Sequence, residues 1–240
     1  MKRIGIIAAL TQEAACLTGT APVPGEPVPI DERFLLIVSG TGGERAGRAA
    51  ARLIEEGAGA LISFGFAGAL AEGLDAGALL VPDAVITNGG RCEIGRPWRS
   101  RVAQRLEGGP GAVRSGALAC SDTIVSSPSQ KRVLHQRTGA VAVDMESAAV
   151  ITAAAGHGLP SLVIRSVLDP AHMTLPEAIV RCSDAFGRVR SAALLRALLA
   201  HPSLWPSVME LRRAFHAAVS TLRWLGLHRG TVLNHAPDTD

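Results

Sequence analysis

The feature that constrains this chain most is a series of short, continuous apolar runs, each followed by a helical segment. Runs of this kind occupy residues 4–10 and 34–38, and mainly apolar segments that are also predicted to be strands occupy 60–64 and 159–167. Apolar runs without alternation are typical of strands that are buried on both faces, as in parallel sheets. The sequence therefore predicts a single-domain, three-layer α/β/α fold with a central mixed, largely parallel sheet.

The C-terminal part has a different pattern, in which apolar side chains recur at helical spacing along one stripe. The stripe consists of Val208, Leu211, Phe215, Val219 and Leu222, and Trp205 and Trp224 flank it. We expect an α/β domain over residues 1–200, a helical extension packed on it over 201–230, and a flexible tail over 231–240. Docking of the helix on the domain or in a subunit interface is favoured, and contact with a lipid or membrane surface is the alternative.

Three further segments are less regular. We expect residues 78–86 to form one strand, with Pro82 at a bulge or a sheet edge. Residues 88–110 are polar and are expected to be an irregular surface segment. From residue 175 onward the sequence predicts helices.

The composition excludes several classes of function. Of the 240 residues, 48% are hydrophobic and 19% are charged, which is typical of a globular chain. The formal net charge of +3 and the 3% of aromatic residues argue against a nucleic-acid partner. No run of 18 apolar residues occurs. We expect a cytoplasmic protein, with peripheral attachment to the inner membrane as an open alternative.

The cysteines do not have the spacing of metal ligands. Cys16, Cys92, Cys120 and Cys182 lie far apart and form no Cys-x-x-Cys pair. We therefore expect reduced thiols and no metal site. No cofactor is expected either, apart from water or inorganic phosphate as a co-substrate.

Acidic side chains follow the apolar runs. Glu13 comes after the first run and Asp169 after the run at 159–167, while Asp144 and Glu146 lie in a strand-to-helix turn. Because the carboxyl ends of parallel strands meet at one edge of a sheet, we expect these acids to lie near one another. Taken alone, Asp144 is also explained as a helix cap, and Glu13 and Glu146 as first-turn charges.

Two glycine-rich segments also follow apolar runs. The first, Ser-Gly-Thr-Gly-Gly at residues 39–43, opens a helix, and the second covers residues 65–68. Both are expected to be turns, and the first offers backbone N–H groups to an anion or a sugar hydroxyl. It is not a dinucleotide fingerprint, because Arg45 stands at the third glycine position.

Acids and backbone donors, without a Ser-His-Asp order or a metal cluster, suit the cleavage of a glycosidic bond. The transition state of that reaction is a cationic sugar, to which carboxylates are complementary. One acid protonates the leaving group, and a base prepares water.

Five pieces of the sequence match one family in order. They are Ile4-Gly5-Ile6-Ile7 with Glu13, Ser39-Gly40-Thr41-Gly42, Gly65-Phe66-Ala67-Gly68, Val143-Asp144-Met145-Glu146-Ser147-Ala148-Ala149 and Arg165-Ser166-Val167-Leu168-Asp169. The chain in this respect resembles the nucleoside phosphorylase/nucleosidase superfamily, and most of all its methylthioadenosine/S-adenosylhomocysteine nucleosidase branch. The resemblance covers residue 4 to about residue 170 and implies a phosphorylase/hydrolase-like fold and a homo-oligomer.

The resemblance implies a role for each acid. Asp169 would give a proton to N7 of a purine, and Glu13 would orient the attacking water. Glu146 would bind the 2′ and 3′ hydroxyls of the ribose, and Met145 would pack on the sugar.

Other positions are placed beside the substrate by the same resemblance. Ile124 and Val125 would lie next to the base and bind it through the backbone. Phe66 replaces a small polar residue of the family, and Leu168 replaces the Ser that precedes the catalytic Asp. These two departures leave the substrate and the nucleophile open.

Water and inorganic phosphate are the two candidate nucleophiles. The turn at residues 39–43 supplies Gly40 and Gly42 as candidate substrate contacts, and Ser39, Thr41 and Arg45 as candidate phosphate ligands. Glu13 favours water, because a carboxylate near the nucleophile repels phosphate. We therefore favour hydrolysis and keep phosphorolysis open.

The C-terminal third resembles the hopanoid-associated phosphorylase group in four pieces: Asp169-Pro170, Leu175-Pro176, Leu194-Leu195-Arg196-Ala197-Leu198-Leu199 and Leu225-Gly226-Leu227. This resemblance implies adenosylhopane as the substrate, in hopanoid biosynthesis, and adenine as the product. The alternative substrates are methylthioadenosine and S-adenosylhomocysteine. The alternative to an enzyme is a purine nucleoside-binding module.

Overall fold

The computed structural model describes residues 3–111 and 113–233, in which the chain alternates strands and helices. The strands are β1 (Arg3–Ala8), β2 (Val28–Pro29), β3 (Phe34–Val38), β4 (Ala58–Ala69), β5 (Leu79–Leu80), β6 (Ala84–Thr87), β7 (Gly90–Glu93), β8 (Val113–Arg114), β9 (Ala117–Cys120), β10 (Ala142–Asp144) and β11 (Ser161–Asp169). The helices are α1 (Thr11–Thr18), α2 (Gly43–Glu55), α3 (Arg96–Leu106), α4 (Pro128–Thr138), α5 (Ser147–Gly156), α6 (Glu177–Cys182), α7 (Ser191–Ala200), α8 (Trp205–Leu227) and α9 (Arg229–Val232).

The strands join one mixed sheet, whose main path is β2-β3-β1-β4-β10-β9-β6-β7. The 12-residue strand β4 connects its parts. Strand β4 pairs in parallel with β1 and with β11, and its last residues pair antiparallel with β10. The prediction of a mixed, largely parallel sheet is confirmed, and this pairing brings the ends of β1, β4, β10 and β11 together.

Helices cover both faces of the sheet, as the three-layer prediction requires. On one face, α2 and α5 pack over β1 and β4 around Leu53, Leu61 and Val150. On the other face, α1 and α8 pack over the sheet around Leu17 and Leu222.

The glycines at residues 65–68 lie in β4 and do not form the expected turn. A Cβ at Gly65 would lie 2.3 Å from Oε1 of Glu13, and a Cβ at Gly68 would lie 3.1 Å from Oδ2 of Asp169. Because neither glycine has a side chain, the two acids can lie directly against the strand.

The middle of the chain is more regular than the sequence suggests. The expected strand at 78–86 is divided into β5 and β6 by a segment that contains Pro82, which cannot donate to a sheet. The expected irregular segment at 88–110 contains strand β7, which pairs antiparallel with β6, and helix α3. Trp98 of α3 is buried in the core, which explains why this polar segment is ordered.

The C-terminal segment contains several separate helices. Residues 183–190 form a loop between α6 and α7, which interrupts the helical structure expected from residue 175. Helix α8 packs Leu211, Leu222 and Leu225 against the domain. The predicted flexible tail begins too early, because Val232 and Leu233 are buried in the core. Residues 234–240 of that tail lie outside the described residues.

No helix in the described ranges, 3–111 and 113–233, combines the length and the apolar character that a bilayer span needs.

Candidate active site

A cleft of about 200 Å³ opens where β1, β4, β10 and β11 end. Glu13, Glu146 and Asp169 all line it, so the fold brings the three predicted acids to one cavity. All three are buried, with exposed fractions of 4%, 9% and 3%. Burial of a charge is costly unless the charge has partners, so the partners of each acid determine what it can do.

Glu13 lies in the first turn of α1 and is held by two backbone N–H groups. Its Oε2 accepts a hydrogen bond from Leu10 at 2.8 Å, and its Oε1 accepts one from Phe66 at 2.8 Å. Burial raises the pKa of Glu13, although the charge of Arg165 and these N–H groups act in the opposite direction. The carboxyl group of Glu13 is therefore fixed in place, with a pKa above its ordinary value.

Glu146 stands between β10 and α5, at the N-cap position of that helix. Its Oε1 accepts a hydrogen bond from the Gly42 N–H at 2.8 Å. Burial and the nearby charge of Asp144 raise the pKa of Glu146 to about 7, and Arg165 opposes this. A carboxylate of this kind can accept hydrogen bonds from the hydroxyls of a ligand.

A buried charge network lies beneath Glu146. Oδ2 of Asp144 accepts hydrogen bonds from Arg165, with Nε at 3.0 Å and Nη2 at 2.5 Å, and from the Ser147 N–H at 3.1 Å. Arg165 also donates to the Ser63 hydroxyl at 2.7 Å. Asp144 therefore caps α5, and in addition it fixes Arg165, the cation whose charge acts on both Glu13 and Glu146.

Asp169 is the last residue of β11 and is paired with a buried lysine of α4. Its Oδ2 lies 2.6 Å from Nζ of Lys131, which is 0% exposed. Burial raises the pKa of Asp169, and the charge and hydrogen bond of Lys131 partly oppose that rise. Asp169 thus has a raised pKa and lies directly beside a buried ammonium group.

The remaining walls of the cleft are mostly apolar. Four of the residues that the sequence analysis names as substrate contacts line the cleft: Phe66, Ile124, Val125 and Met145. The Phe66 ring is supported by Phe215 of α8, with 5.7 Å between the ring centroids. The cleft suits a flat or greasy ligand, which the acids would contact at its polar atoms.

The glycine-rich turn at residues 39–43 contributes less than predicted. Of its candidate phosphate ligands, only Thr41 lines the cleft, and Arg45 is an exposed residue whose Nη1 donates to the Thr41 carbonyl at 3.3 Å. The Ser39 hydroxyl donates to the Gly40 carbonyl at 2.8 Å. Gly40 and Gly42 do not line the cleft, although Gly42 positions Glu146.

Four successive N–H groups of this turn donate to protein oxygens. The acceptors are the Ala8 carbonyl for Ser39 (2.9 Å), the Ala9 carbonyl for Gly40 (3.0 Å), the Ala185 carbonyl for Thr41 (2.8 Å) and Oε1 of Glu146 for Gly42 (2.8 Å). These donors are therefore not available to an anion in this structure.

The described parts of the chain contain no group of three or more His, Cys, Asp or Glu side chains that could hold a metal ion.

Two charged residues of the site have no role in the sequence prediction. Arg165 carries a detectable signal, because a charge inside an otherwise apolar strand needs a buried partner. Lys131 carries none, because a lysine in the second turn of a helix is usually exposed.

Three buried carboxylates at strand ends of an α/β/α sandwich define an enzyme of acid–base chemistry on a small ligand. Comparison with known proteins identifies its family. The chain belongs to the phosphorylase superfamily, whose model matches residues 30–200. It is an enzyme of the nucleosidase/phosphorylase type, as its sequence predicts.

Solved structures with the same fold come from several bacteria. Futalosine hydrolase of Helicobacter pylori is 17% identical, with 97% of each chain covered and a TM-score of 0.70. A point mutant of the methylthioadenosine nucleosidase of the same species, with 5′-methylthioadenosine in its active site, is 17% identical (93% of this chain, 97% of that chain, TM-score 0.66). S-adenosylhomocysteine nucleosidase of Streptococcus pyogenes is 24% identical (71% and 85%, TM-score 0.62). A search of curated protein sequences finds no significant match.

Proposed function

We propose that this protein hydrolyses the N-glycosidic bond of an adenine nucleoside. The observation that supports this most is the placement of three buried acids in one apolar cleft, each with a different partner. Membership of the phosphorylase superfamily favours an enzyme over a purine-binding module.

In this mechanism Asp169 is the general acid. The proton leaves its carboxyl group and binds N7 of the purine, and the electron pair of the C1′–N9 bond goes to the base. Burial favours the protonated form of Asp169 before the reaction. General acid catalysis of this kind contributes about 10²–10⁴-fold to the rate.

Glu13 and Glu146 act on the sugar side of the bond. Glu13 accepts a proton from the water that adds to C1′, and its two backbone hydrogen bonds keep it in place. Glu146 accepts hydrogen bonds from the ribose 2′ and 3′ hydroxyls, and Met145 packs on the sugar. The negative charges of both also favour the cationic sugar of the transition state.

Water is the proposed nucleophile, in preference to phosphate. A phosphate site needs several free N–H donors or cations around the anion. The four N–H groups from Ser39 to Gly42 already have protein acceptors, and Arg45 lies outside the cleft lining. The buried carboxyl of Glu13 would also repel an anion.

We propose adenosylhopane as the substrate, with soluble methylthioadenosine and S-adenosylhomocysteine as alternatives. A polycyclic lipid on the 5′ carbon needs an apolar path out of the cleft. Leu10, Phe66, Ile124 and Leu175 line the cleft and supply such a surface, and Ile124 is 46% exposed.

The test is base release from each of these nucleosides, with and without phosphate, by wild type, Asp169→Asn and the control Asp75→Asn. Asp75 is an exposed acid outside the cleft. We expect adenine and a free ribosyl product, loss of at least about 10²-fold in Asp169→Asn, and unchanged activity in Asp75→Asn. A phosphorylated sugar product would overturn hydrolysis, and full activity of Asp169→Asn would overturn the site.

A lipid-linked substrate also suggests contact with the membrane, which we propose for the outward face of α8. The apolar stripe of that helix packs on the domain, so contact falls to the exposed side chains Trp205, Met209, Arg212, Arg213, Arg223 and Leu227. Each arginine near an anionic surface contributes about 1 kcal/mol. Sedimentation with vesicles of neutral or anionic phospholipid tests this, and binding that survives Arg212→Glu/Arg213→Glu would contradict it.

A homo-oligomer is likewise proposed, and light scattering of the purified protein tests it.

A further inference from the structure

Lys131 is a buried lysine that the proposed chemistry does not yet use. It lies in the second turn of α4 and is 0% exposed, with its neighbours on that helix mostly half-buried or exposed. A buried ammonium is costly unless oxygen atoms surround it. Its position behind Asp169 therefore calls for an explanation.

The ammonium group of Lys131 is fully engaged. Nζ lies 2.6 Å from Oδ2 of Asp169, and it donates to the carbonyls of Pro170 at 2.7 Å and Met173 at 3.1 Å. Nζ also donates to the Asp169 carbonyl at 3.4 Å, so its three hydrogen bonds go to main-chain carbonyls and its contact with Oδ2 is an ion pair. All four oxygen atoms lie at the end of β11 or in the segment that follows it. The lysine ties the side chain of Asp169 and its following backbone to one point.

We propose that Lys131 is the positioning residue of the catalytic acid: it holds Oδ2 of Asp169 in an ion pair, so that Oδ1 carries the proton into the cleft. The proposal rests on the proposed function, in which Asp169 is the general acid. A protonated carboxyl group has one O–H and one carbonyl oxygen. Because Oδ2 faces an ammonium, the proton belongs on Oδ1.

Lys131 also acts after the proton has left. Transfer of the Oδ1 proton to the purine leaves a carboxylate in a buried site, and the adjacent ammonium stabilises that charge. The proton balance is simple: Asp169 loses one proton, the leaving base gains it, and Lys131 keeps its three. The next proton for Asp169 comes from solvent through the open cleft.

The choice of lysine supports this reading. The chain has 24 Lys and Arg residues, and only residues 2 and 131 are lysines. An ammonium is a compact charge whose three donors point in different directions, as the oxygen atoms around Nζ require. A planar guanidinium is larger and differently shaped, so Lys131→Arg should restore charge but not geometry.

Other titratable groups face the pair from both sides. Across the cleft are Glu13, Asp144 and Glu146. On the far side of Lys131 is a second cavity, whose titratable lining residues are Glu72, Asp75, Arg132, His135 and His172. The control for any of these groups is a variant that changes Asp169 alone.

The first experiment uses the scarcity of lysine. Protein labelled with ¹³C at lysine Cε gives two side-chain signals, and Lys131→Met assigns one of them to Lys131. We expect the Lys131 signal to move with pH as Asp169 titrates, at a pH above the ordinary range of an aspartate because burial raises its pKa, and to lose that movement in Asp169→Asn. A signal that ignores pH, or that moves equally in Asp169→Asn, overturns the proposal even if the enzyme is active.

The second experiment is kinetic. In Lys131→Met we expect kcat to fall about 10- to 100-fold with KM nearly unchanged. The basic limb of the pH profile should move to higher pH, because Asp169 has lost the cation that favours its charged form. Equal losses in kcat/KM at every pH would indicate a merely structural role and would overturn the proposal. If no nucleoside is cleaved by wild type, the proposed function fails, and the labelling experiment still tests the pair.

Discussion

The chain has two glycine-bearing segments at the same edge of its sheet, and they differ in what they leave open. In the turn at residues 39–43, four backbone N–H groups donate to protein oxygens. In β4, Gly65 and Gly68 leave space that the side chains of Glu13 and Asp169 fill. The sequence predicts a turn in both segments: the donors of the first already have protein acceptors, whereas the second lies in β4 and shapes the site.

The difference shows that hydrogen-bond partners decide a site more than residue types do. A glycine-rich turn binds an anion only if its donors lack other acceptors. Here Glu146 itself takes the Gly42 N–H, so the turn serves the acid and not a phosphate. Substitutions in the two segments should therefore have different effects on activity.

The largest difference in activity is expected between the variants Glu13→Gln and Arg45→Ala. Glutamine at position 13 would turn an NH₂ group toward the Leu10 or Phe66 N–H and would remove the base, so we expect kcat to fall about 10²–10⁴-fold. Arg45 is exposed at the turn, and Arg45→Ala should stay near wild-type activity. Turnover is measured with and without phosphate. Phosphate-dependent turnover that is lost in Arg45→Ala would mean instead that the turn at residues 39–43 binds the nucleophile.

A smaller difference in activity is expected between the variants Gly65→Ala and Gly43→Ala. The new Cβ at 65 would lie 2.3 Å from Oε1 of Glu13, whereas at 43 its nearest neighbour is the Met145 carbonyl oxygen at 3.7 Å. Because a shift of about 1 Å in a catalytic group can cost about 10²-fold, Gly65→Ala should lose activity and Gly43→Ala should not. Steady-state kinetics on folded protein, checked by circular dichroism, measures both. Equal activity of the two variants would mean that Glu13 is not held as described.

The clustering of the three acids could be predicted from the sequence, because the ends of strands can be predicted from it. Apolar runs predict strands, strands in parallel share an edge, and the acids after them must meet there. The lack of free N–H donors in the turn could not be predicted, because the Thr41 N–H donates to the carbonyl of Ala185, which lies far along the chain. Lys131 could not either, since its burial follows from packing of α4 against the segment after β11.

The smallest expected effect is on stability, and it concerns Glu146, which accepts a hydrogen bond from the turn at residues 39–43. Because the pKa of Glu146 rises from 4.5 to about 7 on folding, the folded state binds more protons than the unfolded state between those values. The free energy of unfolding should therefore fall as pH rises through this window, by at most about 3 kcal/mol from this group. Glu146→Gln keeps an oxygen for the Gly42 N–H and carries no charge, so its stability should fall less.

Urea unfolding of both proteins at about pH 5 and pH 8 measures this difference. We expect similar stability at the lower pH and a more stable Glu146→Gln at the higher pH. Parallel pH dependence in the two proteins would mean that burial does not raise the pKa of Glu146. A variant that is more stable yet inactive would indicate that the charge of Glu146 lowers stability and is retained for the hydrogen bonds that we propose with the sugar hydroxyls.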